Sequence, residues 1–133
     1  MKTEQVLSIE QMKHLQELGL DTSNASMCLC CFRENIDEEW ELEIYEDVIN
    51  QKRDSTFWEI IPTFTLQDIM QKLPPFINIC MLHIYPAADL WYFVYMNSYT
   101  RTILSTKYSP DIMNAAYQML CWVIENGHLE TNK

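Results

Sequence analysis

An α+β fold, built as an antiparallel sheet of five to six strands with two to three helices packed on one face, is what this sequence predicts. Three observations carry that expectation. Helical stretches come with caps and one apolar face, several runs are rich in β-branched and aromatic residues, and the late runs are joined by turns too short for parallel crossovers. The chain has 133 residues, 48% of them hydrophobic and 12% aromatic. That length matches a single domain over 1–133, able to bury roughly 68% of its unfolded surface without disulfide support.

Ser8 followed by Gln11 forms a capping-box pattern, and Ile9, Met12, Leu15 and Leu18 share one helical face until Gly19 ends the run. The polar segment 21–26 then leads into MCLCCFR at 27–33, read as a strand. In EEWELEI at 38–44, Trp40, Leu42 and Ile44 alternate with Glu39, Glu41 and Glu43, the period-two pattern of a strand with one dry and one wet face. FWEII at 57–61 reads as a third strand pairing with it and stopped by Pro62. Thr65 and Asp68 cap a second helix, LQDIMQKL, which the Pro74-Pro75 pair ends. Three more strands, 76–85, 90–96 and 100–108, follow as a meander. Ser109 as N-cap, Pro110 at the first helical position and Gly127 beyond the end delimit the last helix, whose stripe of Ile112, Ala116, Met119, Leu120 and Val123 needs a sheet to cover.

The formal charge is −10, from 19 acidic and 9 basic residues. Seven of the acids lie in DEEWELEIYED at 37–47, which leaves 12 acidic residues against 9 basic ones elsewhere. The acidity is therefore concentrated in one strip. A basic protein partner is permitted, whereas nucleic-acid binding by direct phosphate contact is disfavoured, because no Lys or Arg cluster is present to displace counterions. The longest apolar run, LWYFVYM, is too short to span a bilayer as a helix, so no membrane role is expected. No secretory segment opens the chain, which places it in the cytoplasm, where Cys28, Cys30, Cys31, Cys80 and Cys121 stay reduced.

Candidate chemistry is sparse. Carboxylates at 39, 41 and 43 stand in a row facing water, and no glycine between Gly19 and Gly127 offers the tight turn of a calcium loop. In CLCC, alternation puts Cys28 and Cys30 on one face and Leu29 with Cys31 on the other, without the paired knuckles of a zinc site, so buried apolar roles are expected. His83, within an apolar strand, is expected to be a satisfied core histidine, and no glycine-rich cradle or nucleophile elbow appears. No cofactor, metal or catalytic residue is assigned, and the chain is not expected to be an enzyme.

Three segments together, LSIEQMKHLQELGLDTSNASMC at 7–28, IPTFTLQDIMQKLP at 61–74 and DIMNAAYQMLCWVIENGHL at 111–129, resemble a group of small acidic proteins of unassigned function from gut Bacteroides and relatives, often encoded in phage-like or other mobile regions. The resemblance implies a setting and carries over no catalytic residue. The expected function is a non-catalytic protein-interaction module, inhibitor, antitoxin or immunity-like, in which Glu39, Glu41 and Glu43 steer the partner and Trp91 and Tyr95 anchor it. Two alternatives stand beside it. One is a small-molecule-binding or enzymatic domain with a pocket between sheet and helix lined by Trp91, Tyr95, His83 and Cys80. The other is a self-associating structural homodimer.

Overall fold

The computed structural model describes residues 5–34, 39–54 and 56–131. Over these residues it is an α+β protein with four helices and two antiparallel sheets, of three and four strands. The expectation of one sheet of five to six strands with two to three helices is thereby corrected. The chain divides into two compact units, Met1–Asp68 and Ile69–Lys133, each with its own sheet. Among the described residues no helix is long and apolar enough to cross a membrane.

The first unit opens with helix α1, Ile9–Glu17, whose reciprocal Ser8 and Gln11 capping bonds form as the sequence predicts. Met12 and Leu15 bury its apolar face. Strand β1, Met27–Phe32, lies at the centre of the sheet between β2, Glu41–Ile44, and β3, Trp58–Thr63, in the order β2-β1-β3. The third strand therefore pairs with β1 and not with β2. Pro62 does not stop it either. As an edge strand, β3 leaves one side unpaired, and a proline lacking its N–H is tolerated there.

Helix α2, Tyr45–Gln51, directly follows β2 and was not anticipated. It buries Val48 against Cys28 and Cys30, with Tyr45, Trp58 and Ile60 at the margin of the cluster. Register explains the consequence. Cys28 sits opposite Glu43 and Cys30 opposite Glu41, so these two glutamates share the face that α2 covers. The dry and wet faces expected for β2 are accordingly not kept. Ile44 is 49% exposed, whereas Glu43 is half-buried. Asp37 and Glu38, the first acids of the strip, lie outside the described residues.

Helix α3, Leu66–Lys72, starts at the anticipated cap. The Thr65 N–H donates to Asp68 Oδ2 at 3.0 Å and the Asp68 N–H to Thr65 Oγ1 at 3.2 Å. The same carboxylate accepts from the Ser26 N–H at 3.1 Å and the Ser26 hydroxyl at 2.5 Å, which ties the start of β1 to this helix.

The second unit is the predicted meander with one short strand added, in the order β4-β5-β6-β7. β4, Phe76–Ile77, and β5, Cys80–Ala87, divide the single run that the sequence predicts over 76–85. Asn78, at φ 55, turns the chain between them. β5 and β6, Leu90–Met96, are closed by Ala88 and Asp89, both at positive φ, the geometry of a type I′ hairpin turn. β7, Ile103–Ser109, completes the sheet after a register irregularity at Tyr95 and Met96. Helix α4, Ile112–Glu125, then packs on β6 and β7 with its stripe of Met113, Ala116, Met119, Leu120 and Val123 buried. Its N-cap is Asp111 and not Ser109. The Asp111 carboxylate accepts from the Met113 N–H at 3.2 Å, while Ser109 Oγ accepts from the Asp111 N–H one step earlier. Gly127, at φ 75, follows the last turn as expected.

Candidate functional site

Strand pairing decides which side chains of the second unit share a surface. Leu82 lies opposite Tyr95, Ile84 opposite Phe93 and Pro86 opposite Trp91, so Cys80, Trp91 and Tyr95 belong to one face. That face meets α4. The rings of Tyr95 and Trp122 stack at 6.4 Å. Tyr95 is fully buried, its hydroxyl donates to the Pro74 carbonyl at 2.7 Å, and burial pushes its phenol pKa upward. Trp91, four residues earlier on the same strand and face, is half-buried. Tyr95 therefore fills core and takes no part in a surface.

His83 points to the other face, opposite Val94. The pocket expected from Trp91, Tyr95, His83 and Cys80 does not form, because the pleat divides these four residues between opposite sides of the sheet. His83 is not satisfied either. Its Nε2 is buried, and no group among the described residues hydrogen-bonds it.

The face away from Tyr95 carries a row that the sequence did not reveal. Tyr85 pairs with Tyr92 and Tyr92 with Tyr108, one residue from each of β5, β6 and β7. Their rings follow one another at 5.3 Å, nearly parallel at 10°, and at 5.5 Å with a 32° tilt. Tyr85 is 43% exposed and Tyr108 56%. On the same face His83, Tyr85 and Met96, with Ser98 and Arg101 of the β6 to β7 turn, bound a cavity of about 380 Å³. A two-residue hairpin loop at Ala88-Asp89 fixes Tyr85 opposite Tyr92, so this half of the row follows once the turn is located. The usual Asn-Gly marker is missing there, and Tyr108 enters only through an irregular register.

In the first unit the acidic strip is divided. Glu39 and Glu41 are exposed, as are Glu46 and Asp47 in the first turn of α2, where negative charge complements the helix dipole. Glu43 is engaged internally. Arg53 Nη1 and Nη2 donate to its two carboxylate oxygens at 2.5 and 2.7 Å, and the guanidinium lies 4.6 Å from the centre of the Trp58 ring. The Arg53 hydrogen bonds hold the Glu43 carboxyl below its usual range. Nearby, the Cys28 and Cys30 sulfurs stand 3.6 Å apart. Burial raises both thiol pKa values, so neither is poised as a nucleophile.

Compared with known protein families, with curated proteins and with solved structures, the chain matches none.

Proposed function

We propose that this chain is a non-catalytic protein-interaction module of the inhibitor, antitoxin or immunity type, acting in the cytoplasm on a basic partner. The observation that supports the reading most directly is the row Tyr85, Tyr92 and Tyr108, exposed at both ends and half-buried at its centre. Tyrosine offers a large, stiff contact area at low entropic cost, and its electron-rich ring face attracts Arg and Lys. A stacked aromatic row on a sheet also suits nucleobases, but a net charge of −10 opposes a phosphate backbone. Protein is the better match.

Glu39, Glu41, Glu46 and Asp47 give the reading its electrostatics, as exposed carboxylates that draw in positive charge at a distance. The resemblance to small acidic proteins of mobile regions fits such a role, since these regions encode many proteins that bind and modulate host or phage factors.

The test compares immobilised wild type with a Tyr85→Ser/Tyr108→Ser double variant in a lysate at low salt. Both positions are exposed, so the fold survives, which circular dichroism checks. Basic proteins held by wild type and lost by the variant support the docking face. Retention of the same proteins by both removes it.

One observation favours a second reading, a homodimer. β7 is an edge strand, and Ile103 and Leu104 at its start are exposed. An unpaired edge bearing apolar side chains is a template for pairing with a second copy. Concentration-dependent light scattering that reports a dimer in wild type, and a monomer after Leu104→Lys, would put the homodimer in place of the heterologous partner.

A further inference from the structure

We propose that the cavity bounded by His83, Tyr85, Met96, Ser98 and Arg101 is a binding site for a small organic carboxylate with a flat apolar body. At about 380 Å³ it is at the small end of the range for ligand sites. Its walls divide by chemistry. Tyr85 and Met96 supply an aromatic face and a polarisable thioether, while Ser98 and Arg101 supply a hydroxyl and a guanidinium, and no carboxylate among the described residues lines the space.

The polar side of the cavity is built, not incidental. Asn97 is buried at the end of β6, where its side-chain oxygen accepts the N–H groups of Tyr99 at 2.9 Å and Thr100 at 3.3 Å. The Asn97 backbone exchanges bonds with the far side of the turn, donating to the Thr102 carbonyl at 2.9 Å and accepting from the Arg101 N–H at 2.8 Å. The turn that presents Ser98 and Arg101 is therefore held at several points. Arg101 sits at φ 63, in the left-handed region that glycine or asparagine occupies with less strain. No ion pair holds its guanidinium among the described residues. His83 also lines the cavity, while its Nε2 is closed off from solvent and lacks a hydrogen-bond partner among the described residues. Strain at a charged residue that lines a cavity is a feature found where a ligand completes the structure.

Charge complementarity sets the ligand class. A guanidinium binds a carboxylate with two parallel hydrogen bonds, and the Tyr85 ring beside it favours a planar body over a bare ion. This inference does not rest on the protein-docking reading, since the site stands on Arg101 and the turn that holds it whether or not a partner covers the tyrosines.

Benzoate, benzamide and inorganic phosphate serve as probes in amide-resolved NMR titrations of the full chain. Benzoate is expected to give saturable shifts confined to residues around 83–85 and 96–101, with benzamide and phosphate weaker by about tenfold or more. Arg101→Gly removes the guanidinium while suiting the left-handed backbone, so it is expected to keep or raise the melting temperature and still weaken benzoate by about tenfold. Three results would overturn the proposal. These are no saturable benzoate shifts at those residues, an Arg101→Gly variant that binds benzoate as wild type does, or phosphate binding as tightly as benzoate.

Discussion

Glu43 shows how one residue's role depends on a contact that its neighbours in sequence do not disclose. Read along the strand it is the third of three water-facing carboxylates, yet Arg53, ten positions later, returns after α2 and clamps both of its oxygens. Nothing in the alternation of EEWELEI reports that return. The clamp has a thermodynamic consequence with a definite sign. Its hydrogen bonds lower the Glu43 pKa in the folded state relative to the unfolded chain, so the stabilisation is complete above the ordinary carboxylate range and is lost as the pH falls through the lowered value. Glu43→Gln is expected to destabilise the first unit by about 1–3 kcal/mol at neutral pH, the cost of weakening a charged, partly buried hydrogen-bonded pair. Urea unfolding followed by tryptophan fluorescence should show the variant approaching wild type as the pH is lowered towards the acid range. A constant gap between the two across that range would mean that the pair contributes nothing specific to the charged form.

Elements were legible in the sequence where their signals are local. The Ser8 and Thr65 capping boxes, the end of α4 at Gly127 and the meander each depend on residues within a few positions of one another. Strand partnership is not local, which explains why one sheet was expected where two exist. β1 takes β3 as a neighbour across the whole of β2 and α2, and only that pairing turns Pro62 from a stop signal into an edge residue. Helix α2 is concealed by its own start, because its N-cap Ile44 is also the last apolar position of the β2 alternation and makes no side-chain capping hydrogen bond. Asp68 is the element-scale counterpart of Glu43. The sequence disclosed its bond with Thr65 but not the one with Ser26, 42 residues away. Asp68→Ala removes the α3 cap and with it the two part-buried bonds that the Ser26 N–H and hydroxyl donate to the same carboxylate. The expected cost is about 2–4 kcal/mol, larger than the roughly 1 kcal/mol typical of a lost cap alone. Chemical denaturation measures it, and a loss no larger than that of Ser8→Ala would mean that the tie to β1 is unimportant.

At the scale of the molecule, the charge and the tyrosine row make separable contributions to any association. Much of the −10 charge lies in one segment of sequence, and Glu39, Glu41, Glu46 and Asp47 remain exposed after Arg53 has taken Glu43. Exposed charges of this kind act over a screening length of about 30 Å at 10 mM salt and about 8 Å at physiological ionic strength. They accelerate encounter, whereas close aromatic contacts resist separation. For a basic partner recovered by the wild-type protein, the association rate is therefore expected to fall by about tenfold or more between those two salt concentrations, with little change in the dissociation rate. Glu39→Lys/Glu41→Lys should lower the association rate and flatten its salt dependence. Tyr85→Ser/Tyr108→Ser should leave that dependence intact and speed dissociation. Surface plasmon resonance on the three proteins resolves both rates. If the charge-reversal variant changed only dissociation, the acidic side chains would lie within the contact itself and steering would have to be abandoned. If the tyrosine variant changed neither rate, the stacked row would be a device for pairing β5, β6 and β7, with no part in recognition.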